Sequence, residues 1–203
     1  YARSFPKITV REEDLTHADI DQFAVHMPVG SLPGMFRRSR AEFPDDGVFL
    51  KADPERVAAW RHRLDQLGPG PKIGAGWRSL NPGWHKLPLH SDLDDWKPIA
   101  AVDHTHLISL QSGLRGGEIE TAAANGVSVH RFDELDMDND MENAAALMLA
   151  LDAVVSCQCW LIHLGGALGV KVYTFNARPN PYLMDQDTNP WAPSVEVIYR
   201  EQG

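Results

Sequence analysis

The sequence has little cysteine and no long apolar run, and both shortages exclude classes of protein. Only two of its 203 residues are cysteines, Cys157 and Cys159. A disulfide between residues two positions apart is sterically awkward, and two thiolates fall short of the four ligands of a structural zinc site. We therefore expect reduced thiols in an intracellular protein, with a metal or thiol redox site as the weakest alternative. No run of about 18 apolar residues occurs, so we expect no membrane span.

Positive charge and the common nucleotide motifs are also scarce. Lys and Arg number 19 against 28 Asp and Glu, which gives a net charge of −9 at pH 7. A general nucleic-acid binder needs a basic face for phosphate, so we expect no nucleic-acid partner. The chain has no G-x-x-x-x-G-K-[ST] and no G-x-S-x-G, and "GAGWRS" lacks the third glycine of G-x-G-x-x-G. These absences argue against P-loop, hydrolase and nicotinamide-dependent enzymes.

What is present is an alternation of short apolar strands and helices. The spacing predicts helices at 54–67, 93–101, 116–126, 141–152 and 160–169, and strands at 4–10, 71–77, 106–111, 127–132, 153–157, 171–176 and 195–201. Asp53 as N-cap and Pro54 at the first helical position begin the first of these helices, and Gly68 ends it. Residues 11–47 are typical of a loop. The pattern predicts an α/β fold, a Rossmann-like parallel sheet with helices on both faces.

Ligands of such sheets bind at the carboxyl ends of the strands. Four predicted loops lie there, at 77–92, 111–118, 133–141 and 157–163. In the first loop, Arg78 and Lys86 are suited to an anion and Ser79 adds a hydrogen-bonding group, as in phosphate-binding turns. The alternative is that both cations are ordinary solvated side chains.

Two of the remaining loops carry single candidates. Glu118 opens a predicted helix and is suited to a ribose diol, but the helix dipole alone also favours a glutamate there. A neutral His163 is suited to phosphate or sugar oxygens, and a satisfied core histidine is the alternative. Two metal-like stretches, "DHTH" at 103–106 and the acidic "DELDMDNDMEN", lack the arrangement of a metal site, so we expect no metal.

Several phrases, taken in order, resemble one family. They are "RSFP" at 3–6, "MPVGSLPGMFRRS" at 27–39, "PKIGAGWRS" at 71–79, "HLISLQSG" at 106–113, "LDAVVSCQCWLIHLGGALGVKVYTF" at 151–175 and "PWAPSVEVIYRE" at 190–201. The ordered set resembles the C-terminal glycosyltransferase region of bacterial tetratricopeptide-repeat proteins, similar to heptosyltransferase-like and O-GlcNAc-transferase-like enzymes of the two-domain GT-B architecture. This resemblance implies that 1–50 is the end of an N-terminal domain with a linker, and that 51–203 is the nucleotide-sugar-binding, Rossmann-like domain.

The resemblance also implies roles for individual residues. The diphosphate of the donor is expected at the site whose residues are Arg78, Ser79, Lys86, Gln158 and His163. The nucleoside is expected near Gln111 and Glu118. No separate cofactor is implied, because the nucleotide sugar is itself the substrate. The acceptor, a protein or a glycan, is not indicated.

One departure from the family leaves two functions open. Relatives often have Asp-Thr in the last loop, where this chain has Gln158 and Cys159 followed by the bulky Trp160. One function is a metal-independent, cytoplasmic glycosyltransferase whose acceptor-activating half lies outside this chain, which begins at Tyr1 without a methionine and is expected to be part of a longer protein. The alternative is a degenerate, non-catalytic GT-B-like domain that binds or scaffolds.

Overall fold

The computed structural model describes residues 2–10, 16–80, 90–176 and 188–199. The chain divides into two compact units, Tyr1–Asp45 and Asp46–Gly203. The sequence-based division at residue 50, with an N-terminal domain ending there, stays a prediction.

The second unit is built on a parallel sheet. Its six strands are β1 Lys72–Gly76, β2 His106–Ser109, β3 Val129–His130, β4 Ala153–Ser156, β5 Val172–Asn176 and β6 Val195–Tyr199. Their order is β3-β2-β1-β4-β5-β6, and every neighbouring pair is parallel. The chain runs outwards to β3, crosses to β4 and runs outwards again, so the strand order reverses between β1 and β4. That is the doubly wound order of a Rossmann fold, whose ligand crevice lies at this reversal.

The described ranges contain seven α-helices, of which the last four join successive strands from β1 to β5. They are α1 His17–Ile20, α2 Leu32–Phe36, α3 Pro54–Asp65, α4 Lys97–Ala100, α5 Glu118–Ala124, α6 Met141–Ala150 and α7 Trp160–Leu168. A 3-10 turn at Leu93–Trp96 leads into α4. As the sequence predicts, the Asp53 carboxylate caps α3 by accepting from the Glu55 N–H at 2.9 Å and the Arg56 N–H at 3.4 Å.

The core forms two clusters. One joins α3, α6 and α7 to the sheet through residues such as Trp60, Leu147 and Val154. The other joins the 3-10 turn and α5 to the sheet through Trp96 and Ala122, among others. Each cluster packs helices against strands, because a parallel sheet buries both of its faces. The α/β, Rossmann-like fold predicted from the sequence is therefore confirmed.

Close approach of α7 to the sheet depends on its glycines. A Cβ placed on Gly165 would lie 2.6 Å from Val172 Cγ2 and 3.0 Å from Met148 Cε. A side chain at Gly165 would therefore push α7 away from β5 and α6.

The strand predicted at 4–10 is wrong. This segment forms turns and coil, in which the Ile8 N–H donates to the Phe5 carbonyl at 3.0 Å. Ile8 and Val10 are more than half exposed. A strand is stabilised by pairing with a neighbour, and the strand propensity of this segment cannot supply one.

The loop predicted at 11–47 contains two short helices, α1 and α2, among its described residues. Five apolar residues of this segment are exposed: Phe23, Val25, Met27, Leu32 and Phe36. They therefore add nothing to the core of the described chain.

Candidate functional site

Gln111 links the carboxyl ends of β1 and β2. Its Oε1 accepts from the Trp77 N–H at 3.0 Å and the Arg78 N–H at 2.8 Å. Its Nε2 donates to the Arg78 carbonyl at 2.8 Å and the Ser112 carbonyl at 2.6 Å. These four bonds use the whole hydrogen-bonding capacity of a primary amide, and the side chain is buried. Gln111 therefore fixes the backbone from which Arg78 projects.

The Arg78 side chain is bound to Glu118. Nη1 donates to Oε2 at 2.8 Å and Nη2 donates to Oε1 at 2.9 Å, a bidentate arrangement. Arg78 Nη2 also donates to the Gly113 carbonyl at 3.2 Å. The two charged side chains are only 11% and 16% exposed, so solvent screens this ion pair less than a surface pair. The structure thus brings together two residues that the sequence assigned to different parts of a ligand.

Glu118 is held as a carboxylate. Burial by itself raises its pKa, but the hydrogen bonds from Arg78 and from the Arg115 N–H, with the charge of Arg78, outweigh burial and lower the pKa below its usual value. The Arg115 N–H donates to Glu118 Oε1 at 2.7 Å. At neutral pH Glu118 is therefore ionised.

Glycines shape the loop after β2, which leads to Glu118. Gly113 has φ of 59° and Gly117 has φ of 76°, backbone angles that residues with a side chain rarely adopt. Gly113 supplies the carbonyl that Arg78 contacts, and Gly117 precedes the first residue of α5. The glycine-rich sequence "SGLRGGE" is therefore explained by backbone conformation at two positions.

Two cavities flank this loop. One, of about 790 Å³, lies between the loops after β2 and β3 and is lined by Gln111, Ser112, Arg115 and Met137, among others. The other, of about 340 Å³, lies between the 3-10 turn and α5, and its lining includes Arg78 and Glu118. Both volumes fall in the range of small-molecule sites. Sequence reasoning missed Arg115, which lines both cavities; its place between the glycines of "GLRGG" is the signal that could have found it.

The turn after β4 carries the other predicted residues. The Cys157 N–H donates to the Gly76 carbonyl at 2.8 Å, which ties this turn to the end of β1. Gln158 is half-buried, and His163 lies on the exposed face of α7. The alternative that His163 is a core histidine is therefore wrong. Cys157 and Cys159 are not joined in a disulfide, and Cys159 Sγ lies 3.3 Å from Ser156 Oγ.

Two predicted site residues remain to be placed. Ser79, half-buried, follows Arg78, and its N–H donates to His90 Nε2 at 3.3 Å. Lys86 lies outside the described residues. The structure thus joins Arg78, Gln111 and Glu118 in one hydrogen-bonded network. Ser79 and the turn that contains Gln158 follow two neighbouring strands, β1 and β4.

A histidine pair joins the first residue of β2 to the last residue of β3. His106 Nδ1 lies 3.3 Å from His130 Nε2, and His106 Nε2 lies 3.1 Å from the Pro69 carbonyl oxygen. Within the described ranges, no group of three or more His, Cys, Asp or Glu side chains is placed to hold a metal ion. Across the same ranges, no helix has both the length and the apolar character needed to cross a membrane.

Comparison with known proteins places this fold beside a glycosyltransferase. The structure of E. coli ADP-heptose lps heptosyltransferase II superposes with a TM-score of 0.57 at 16% identity, over 83% of this chain and 50% of that one. The chain therefore has a Rossmann-like fold of the kind found in half of a GT-B heptosyltransferase. In sequence, the chain is 31% identical over 183 residues to Protein FlbA of Caulobacter vibrioides. That match covers 90% of this chain but only 31% of FlbA, so the chain spans about a third of its relative. No family model matches the chain.

Proposed function

We propose that this chain is the donor-binding part of a glycosyltransferase, which binds a nucleotide-diphosphate sugar for transfer to an acceptor, protein or glycan. The observation that carries the proposal is the site at the carboxyl edge of a doubly wound sheet. There the cavity of about 790 Å³ adjoins the loop that holds Arg78 and Glu118. The likeness of the fold to a heptosyltransferase supports the same reaction class.

The proposed arrangement follows from the strand order. Arg78 and Ser79 come from the end of β1, and Gln158 and His163 come from the end of β4, which pairs directly with β1. The diphosphate lies over these two ends, with Lys86 assigned to it as well. The nucleoside occupies the cavity beyond Gln111, near Glu118, and Gln111 holds the loop rather than reading the base.

The residues would act by charge and hydrogen bonding. Transfer of the sugar leaves a nucleoside diphosphate, which gains negative charge as the bond to the sugar breaks. A guanidinium, an imidazole N–H and the N–H groups at the start of α7 stabilise that charge if they are fixed beforehand. No metal or separate cofactor takes part in the proposed reaction, and the protein is assigned to the bacterial cytoplasm, in the setting of a tetratricopeptide-repeat protein.

A non-catalytic binding or scaffolding domain is the second candidate. Two observations favour it. The turn after β4 has Gln158, Cys159 and Trp160 where the resembling family often has Asp-Thr, and Trp160 packs against the core. Arg78 is also neutralised by Glu118.

Calorimetry with UDP-, GDP- and ADP-sugars tests the proposal. One donor is expected to bind. Arg78→Gln is expected to lower the affinity for that donor about tenfold or more, because a charge-assisted bond to phosphate is lost. His163→Ala and Lys86→Ala are expected to lower the affinity for the same donor. Arg61→Gln and His62→Ala, at exposed positions on α3, are the matched controls and leave the affinity unchanged. Silence towards every donor, or equal effects of Arg78→Gln and Arg61→Gln, would reject the proposed site.

A further inference from the structure

The bonds between Arg78 and Glu118 have the geometry with which arginine binds a phosphate. Two parallel N–H···O bonds join its Nη1 and Nη2 to the two oxygens of Glu118. Arginine binds carboxylate and phosphate with this same fork of donors. A phosphate group and the Glu118 carboxylate therefore cannot occupy that face of the guanidinium together.

Glu118 is anchored from a second side. Its Oε1 also accepts from the Arg115 N–H at 2.7 Å, and the residue begins α5, where a negative charge is favoured by the helix dipole. The carboxylate thus stays in place at neutral pH without any ligand. Displacing it from Arg78 costs two short, charge-assisted bonds.

The backbone of Arg78 is not free to move away from the pair. Gln111 accepts from its N–H and donates to its carbonyl, both at 2.8 Å. Any exchange of partners must therefore occur by rotation of the Arg78 side chain or of Glu118. The exchange is local and needs no opening of the sheet.

Charge around the closed pair disfavours an anion. The cavity of about 340 Å³ beside the pair is also lined by Asp92, Asp94 and Arg115. With Arg78 and Glu118 cancelling each other, the two aspartates outnumber the one remaining arginine. An approaching diphosphate therefore has the Arg78 guanidinium available to it only after Arg78 turns away from Glu118.

From these contacts we infer that Glu118 is an intramolecular competitor for Arg78, which a diphosphate ligand must displace before Arg78 can bind it. The inference rests on the proposed function for the identity of the ligand, but its chemistry concerns only the diphosphate. The inference assigns Glu118 a role in specificity. An anion with few other contacts does not bind, because it cannot break the pair, whereas an anion with further contacts to the site compensates for breaking it. Once released, the carboxylate is available to hydroxyl groups of the ligand.

Inorganic pyrophosphate isolates this competition, because it has no ribose or base. In calorimetric titration of the 203-residue chain, Glu118→Gln is expected to bind pyrophosphate about tenfold more tightly than the native chain. Glu118→Asp keeps the charge but shortens the reach, so an intermediate affinity is expected. The melting temperature of each variant shows that it is folded, and Glu118→Asp serves as the readout if Glu118→Gln does not fold.

Two controls separate competition from a general change in charge. Glu55→Gln removes the same charge in the first turn of α3, where the side chain is exposed and lies outside both cavities, and is expected to change the affinity less than twofold. The double variant Arg78→Gln/Glu118→Gln is expected to lose the tighter binding. Unchanged or weaker binding by Glu118→Gln, or a gain that persists without Arg78, would overturn the inference. Tighter pyrophosphate binding with silence towards all nucleotide sugars would reject the proposed function and leave the competition established.

Discussion

The amide of Gln111 offers the sharpest test of how the site is held. Gln111→Leu keeps a similar volume but removes all four hydrogen bonds, which run from 2.6 to 3.0 Å. The Trp77 N–H and the Ser112 carbonyl belong to buried residues, so water does not readily replace the hydrogen bonds that they lose. Losing four bonds at about 1 kcal/mol each, less what water restores at Arg78, gives a loss of about 3 kcal/mol of unfolding free energy.

Urea unfolding followed by tryptophan fluorescence measures this loss, since Trp77 is wholly buried beside the substitution. Gln66→Leu, at an exposed position after α3, is the matched control and is expected to change stability by less than about 0.5 kcal/mol. Gln111→Glu is a second probe. Its carboxylate still accepts from the two N–H groups but faces two carbonyl oxygens, so its pKa rises on folding. The variant is therefore expected to recover stability relative to the native chain as the pH falls. A loss below about 1 kcal/mol for Gln111→Leu would refute the reasoning.

Two further predictions concern packing and pH. Gly165→Ala places a methyl group against Val172 and Met148 and is expected to cost about 1–3 kcal/mol in urea unfolding, whereas Gly116→Ala, with open space around it, should cost under about 0.5 kcal/mol. Burial, with the positive charges of His106 and Lys72, lowers the pKa of His130 in the folded state. The unfolded chain therefore binds the proton more readily, so unfolding free energy should fall as the pH drops below about 6.5. His130→Gln should flatten that decline, and an unchanged pH profile would contradict the prediction.

Much of the fold was predictable because its signals are local. The cap at Asp53, the proline after it and the apolar spacing of Val57, Trp60 and Leu64 define α3 without reference to the rest of the chain. The strand predicted at 4–10 failed for the opposite reason, since apolar alternation indicates propensity but not a partner. The exposure of His163 could also have been predicted from the sequence. Leu161, Ile162 and Gly165 define the buried face of α7, and His163 falls off it.

The site was predictable residue by residue but not as a network. Arg78 was selected because it follows a predicted strand, Glu118 because it opens a predicted helix, and Gln111 through the family resemblance. Arg78 and Gln111 are 33 residues apart, and Arg78 and Glu118 are 40 residues apart. Their mutual bonds depend on the register between β1 and β2, which local sequence does not specify. Sequence reasoning therefore indicated three ligand-facing side chains, whereas the structure shows that they first bind one another.

The central claim is that the carboxyl edge of the sheet binds a nucleotide sugar. An NMR titration of the isotope-labelled chain with UDP-, GDP- and ADP-sugars tests it most directly, because each backbone amide reports its own environment. We predict that one donor shifts the amides of 77–79, 111–118 and 157–163 and leaves those of 104–106, at the opposite, amino edge of the sheet, unchanged. Shifts confined to that opposite edge, or no shift with any donor, would contradict the account.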